Sequence, residues 1–77
     1  MTDEQRLQRD MLQAHAQNDL AALPPLYLAA ARLRESQGDI DAACFFYTHA
    51  YVYGLDCGDQ EIADKARSRL LSHGRDR

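Results

Sequence analysis

Gly38 and Asp39 divide a run of strong helix formers, and the stretch they open, Gly38–Ala50 (GDIDAACFFYTHA), constrains the fold more than any other part of the chain. A glycine can take the left-handed conformation that ends a helix, and an aspartate next to it can cap the following one. After that cap, Ala43, Tyr47 and Ala50 recur at the i, i+4, i+7 steps that line one helix face. Small residues on a buried face let two helices approach closely, with aromatics filling the space between. The pattern predicts a tight antiparallel helical hairpin, with Ala43 at its closest approach.

The rest of the chain supports an all-α reading. Ala, Leu, Gln, Arg and Glu dominate, and no alternating β-branched run of strand length occurs. Thr2-Asp3-Glu4-Gln5 fits a capping box, so a first helix is expected over 2–18 with Leu7, Met11, Ala14 and His15 as its apolar stripe. Asn18-Asp19 interrupts that stripe, as a stop or as the cap of a short turn over 20–23. Pro24-Pro25 forbids an unbroken helix through this point. A second helix is expected over 25–37, with faces Leu26, Ala29, Ala30, Leu33 and Tyr27, Ala31, Arg34. A third, over 39–54, is expected to be sheltered by all three of its neighbours. It holds five of the six aromatics (Phe45, Phe46, Tyr47, Tyr51, Tyr53) and carries no formal charge after Asp41. A fourth, over 59–72, turns Ile62, Ala63, Ala66 and Leu70 inward, and 74–77 is expected to be a frayed tail. The 77 residues therefore make one domain: a small helical bundle of about four helices around the central hairpin 25–55.

Charge excludes some functions and leaves others. The chain carries −3 overall, −5 over residues 1–59 and +2 over 60–77. Lys65, Arg67 and Arg69 recur every second residue, which spreads them around a helix instead of lining one phosphate-binding face. No nucleic-acid partner is expected. No apolar run approaches the ~18 residues of a membrane span, and no segment of signal type stands before Cys44 and Cys57, so a reducing cytoplasmic setting is expected. Cys44 is placed mid-helix and Cys57 just past the helix end, ~15 Å or more apart along the axis, too far for a disulfide. Cys44, Cys57, His15, His49 and His73 lack metal-ligand spacing, and no metal or cofactor is expected. No strained nucleophile, phosphate-cradling glycine loop or carboxylate pair is present, which argues against an enzyme.

Residues 27–55 resemble one degenerate tetratricopeptide repeat, the helical hairpin with the pattern W-x₂-L-G-x₂-Y…A-x₃-F…P. Tyr27 stands at the tryptophan, Ala30 at the leucine, Ala31 at the glycine, and Ala43 and Tyr47 at A-x₃-F, with Ala50 at a further small position. Arg34 and Leu55 depart from the aromatic and the proline. Displacement by one repeat length brings Arg9 and Glu61 to the key positions, so the flanking helices are helpers and not further repeats. The resemblance implies a non-enzymatic scaffold or adaptor that holds a peptide or helix of a protein partner on its first helix, through Tyr27, Ala31 and Arg34. A second reading makes the chain a weak homodimer with Phe46, His49 and Tyr53 at the interface, loosened when His49 is protonated. A small DNA-associated regulator and a thiol or metal sensor are weaker alternatives.

Overall fold

The computed structural model describes residues 2–75 and consists of four α-helices and one 3₁₀ turn, a small all-α bundle without strands among those residues. The helices are α1 (Asp3–Ala16), α2 (Leu23–Ser36), α3 (Ile40–Cys57) and α4 (Gln60–Ser72), with the 3₁₀ turn at Leu20–Ala22 between α1 and α2. Residues 76–77 of the expected tail lie outside the described residues.

Each start has a visible cause. Thr2 and Gln5 form the capping box, with Gln5 N–H donating to Thr2 Oγ1 at 3.2 Å and Thr2 N–H donating to Gln5 Oε1 at 3.0 Å. Asp39 and Asp59 accept from the amides of Ala42 and Ile62, both at 3.2 Å. α2 begins two residues before the expected Pro25: Leu23 leads, and both prolines sit in the first turn, where the missing N–H groups have no intrahelical partner to lose.

The four helix ends repeat one device. Asn18, Gly38, Gly58 and Gly74 all have positive φ, between 53° and 79°. The amide that follows each one reaches back to a carbonyl five residues earlier: Asp19 to Ala14, Asp39 to Arg34, Asp59 to Gly54 and Arg75 to Leu70, at 2.7–3.0 Å. These are Schellman closures, which satisfy carbonyls that a helix end otherwise leaves bare.

α3 therefore does not stop at Gly54, as the sequence suggested, but continues to Cys57. Gly54 lies buried inside it, where a Cβ would stand 3.1 Å from Ala63 N and Asp59 O. That glycine permits the close turn into α4.

The core joins α2, α3 and α4. Leu28, Ala31, Ala43, Cys44, Tyr47, Ala50, Ala66 and Leu70 form one buried cluster, and Ala31, Ala43, Tyr47, Ala50, Ala63 and Ala66 are wholly inaccessible. Alanines at the crossings and one tyrosine in the middle realise the expected small-and-large packing. On α2, Leu28, Ala30 and Ala31 are buried, whereas Ala29 faces solvent. α3 lies against α2, α4 and the 3₁₀ turn; no Cα of α1 comes within 8 Å of it, and α1 reaches it through the His15–Tyr53 ring pair at 6.2 Å, a looser cover than the third neighbouring helix that was expected. The molecule is flat, 33 × 29 × 15 Å.

Candidate functional site

Because α1 and α3 both pack on α2 with no close backbone approach to each other, and touch through the His15–Tyr53 ring pair at 6.2 Å, an open groove of about 300 Å³ remains beside that contact. Leu7, Met11 and Leu12 of α1 form one wall, Ala30 and Leu33 of α2 the floor, and Tyr27 and Phe46 the far side. Leu12 is 65 % exposed, a leucine turned into the groove mouth with nothing of its own chain over it.

Tyr27 is the hub of the aromatic side. Its ring centroid lies 6.0 Å from Phe46, 5.3 Å from His49 and 5.2 Å from Tyr53, distances at which aromatic pairs attract through offset or tilted contacts. Its hydroxyl is 3.0 Å from His15 Nε2, which ties α1 to the cluster. Burial, and secondarily the nearby Tyr53, push its hydroxyl above the usual tyrosine range. The structure thus brings Tyr27, Phe46, His49 and Tyr53 together.

The other two expected contact residues fare differently. Arg34 lines the groove, but its guanidinium is held by Glu4 of α1 and by Gln37 Oε1 at 3.2 Å, so the groove's charged end is already neutralised. Ala31 is not a contact residue: it is fully inaccessible beneath the neighbouring helices, because the α2 face it shares with Leu28 is the one that packs inward.

The outward face of α3 is also displaced by about one residue from the expected Phe46, His49 and Tyr53. Phe46 and Tyr53 are half-buried against Tyr27, while Phe45 (59 % exposed) and Val52 (46 %) point away from the bundle, with His49 between them. Successive residues differ by ~100° around a helix, so Phe45 and Phe46 belong to different faces although their rings are 5.6 Å apart.

A second polar centre escaped the sequence reading. Glu35 accepts from Tyr47 Oη at 3.0 Å, from Arg69 Nε and Nη2 at 3.1 and 2.7 Å, and lies 2.6 Å from His73 Nε2. The His73 hydrogen bond first, then those from Arg69 and Tyr47, outweigh burial and bring its carboxyl down to about 2. Tyr47 rises above its usual range through burial and the neighbouring carboxylate. The cluster ties α2, α3 and α4 together.

Cys44 is buried and Cys57 exposed, and both are free. Cys57 is the last residue of α3, and its thiol donates to the Leu20 carbonyl at 3.1 Å. Among the described residues no three His, Cys, Asp or Glu side chains are placed to hold a metal, and no helix is long and apolar enough to cross a membrane. No protein-family model, curated protein or solved structure matches this chain.

Proposed function

We propose that this protein is a non-enzymatic interaction module whose α1–α3 groove receives the apolar face of a helix or peptide from a protein partner. The observation that carries the reading is the groove itself: an apolar lining of Leu7, Met11, Leu12, Leu33, Tyr27 and Phe46, edged by Glu4, Gln8, His15 and Arg34 and floored by a packed helix. Helix-in-groove recognition needs this kind of surface, an apolar trough with rigid anchors for side chains spaced one turn apart. The resemblance of residues 27–55 to a tetratricopeptide hairpin agrees with it, although here α1 supplies one wall, and α2 supplies the floor and, through Tyr27 beside Phe46 of α3, part of the other. With Glu4 and Arg34 paired to each other, the groove selects for apolar side chains and not for an acidic peptide.

Selection of helical peptides from a displayed library against the full chain, followed by amide chemical-shift mapping, tests the reading. Bound peptides are expected to shift Leu12, Tyr27 and Phe46, and Leu12→Glu is expected to weaken them at least tenfold without unfolding the protein. Peptides that map elsewhere, or that ignore Leu12→Glu, remove the groove from consideration.

A further inference from the structure

α1 is fastened at its two ends by different chemistry. It runs antiparallel to α2, so Glu4 stands opposite Arg34 and His15 opposite Tyr27. At the His15 end the hold is packing: Ala14 is the buried residue of the helix, and the His15 ring meets Tyr27 at 6.0 Å and Tyr53 at 6.2 Å. Just beyond, Asn18 turns the chain with a φ of 53°, and the fully buried Leu23 and Pro24 fix the start of α2. At the other end, every residue of 2–9 is exposed except Glu4 and Leu7, which are half-buried. A polar tie crosses to α2 there, the Glu4–Arg34 ion pair, whose side chains remain 45 % and 33 % exposed.

We infer that α1 is a hinged arm over the groove, pivoting at His15, and that the Glu4–Arg34 pair is its latch. This regulation presupposes the α1–α3 groove as the binding site. Size calls for the movement. One turn of helix, 5.4 Å long and ~10 Å across, occupies ~420 Å³, more than the groove of about 300 Å³. The closed groove therefore admits side chains, and a helix seats fully once the arm swings out. Glu4 lies ~16 Å along the helix from His15, so a tilt of ~15° carries it ~4 Å outward. That parts the ion pair while the His15 end stays seated.

Glu4 thus works against binding. An exposed ion pair shifts an equilibrium about two- to fivefold, so the latch sets how often the arm is open and does not forbid opening. A helix that seats in the open state binds more weakly in proportion to the time the arm spends closed.

Two measurements on the full chain test this: residual dipolar couplings of the backbone amides in a neutral aligning medium, and binding of a synthetic alanine/glutamine helix with leucines at i, i+4 and i+7. In Glu4→Gln and in Arg34→Gln, the α1 couplings are expected to shrink relative to those of α2–α4. Raising salt from about 50 to about 500 mM is expected to shrink them in the wild type and in neither variant. Asp3→Asn removes an acid from the same turn on the opposite flank of α1 and is expected to change nothing, which separates the latch from the charge at the helix start. Glu4→Gln is expected to bind the peptide about two- to fivefold more tightly than wild type, the reverse of Leu12→Glu. Couplings of α1 that stay in step with the core in the wild type and both variants overturn the inference. So does a change in Glu4→Gln that Arg34→Gln does not share. A peptide bound equally by wild type and Glu4→Gln overturns the latch and leaves the groove standing. A peptide bound by no form of the chain removes the groove, and the couplings alone then decide whether α1 is hinged.

Discussion

At the residue scale, Glu35, Gly54 and Gly58 carry more than their chemistry suggests. Glu35 sits on the polar edge of α2 in a sequence with many surface acids, yet its carboxylate joins three helices. Its folded-state value of about 2 lies below the ordinary 4.5, so the unfolded chain binds its proton more readily than the folded one. The stability it contributes is present above about pH 5 and is lost as pH falls towards 2, up to ~3 kcal/mol. Glu35→Gln is therefore expected to cost ~1–3 kcal/mol at pH 7 and to flatten the acid limb of stability against pH. Urea melts at pH 7, 5, 4 and 3 check both, and parallel curves for variant and parent would show the carboxylate to be unimportant. Gly54 and Gly58 form the second test, because they are needed for opposite reasons. A Cβ at 54 meets the backbone of the α3–α4 turn, whereas one at 58 meets open space but a φ of +75°. Cost at 54 is thus expected to grow from Ala to Leu, since overpacking scales with volume. At 58, Ala and Leu are expected to cost about the same, ~1–2 kcal/mol. Denaturant midpoints of the four variants separate the two mechanisms.

At the scale of elements, the hairpin was readable and its ends were not. Ala43, Tyr47 and Ala50 announced the buried face of α3 because helical periodicity is a property of sequence alone. Ala43→Leu is expected to lower stability by ~1–3 kcal/mol through overpacking against α2, while Ala29→Leu, on the exposed side of α2, is expected to be near neutral. Equal midpoints for both variants would mean that the crossing is loose. The end of α3 was misplaced because a glycine that stops a helix and a glycine that admits a neighbour look alike in sequence. The distinguishing sign was the residue after it: Asn18-Asp19, Gly38-Asp39 and Gly58-Asp59 recur every twenty residues, and Gly54 lacks the aspartate. The outward face of α3 was misjudged for a related reason. Tyr27 draws Phe46 and Tyr53 against α2, and only the position of that partner decides which of two adjacent phenylalanines faces out. Glu35 left no signal at all, since its partners lie 12, 34 and 38 residues away.

At the scale of the whole molecule, the packed core and the proposed recognition surface are drawn from different parts. The buried cluster is drawn from α2, α3 and α4 alone, and α1 contributes one buried residue, Ala14. What holds α1 otherwise is half-buried or polar: Leu7 and Met11 over the floor of the groove, the Glu4–Arg34 pair, and the His15–Tyr27 contact. Exposed ion pairs contribute little, typically below ~1 kcal/mol, so α1 should open well before the three-helix core does. The same helix forms a wall of the groove, so under the proposed function its loose attachment would let the groove widen around a partner without disturbing the core. Native-state hydrogen exchange measures this directly. Amides of α1 are expected to exchange through an opening of lower free energy than those of α2 and α3. Tyr27→Phe, which removes the hydroxyl facing His15, should accelerate α1 further while leaving the slowest α3 amides within about twofold. Uniform protection along the chain, or equal acceleration of α1 and α3 in the variant, would mean that the four helices unfold as one unit and that the groove is fixed.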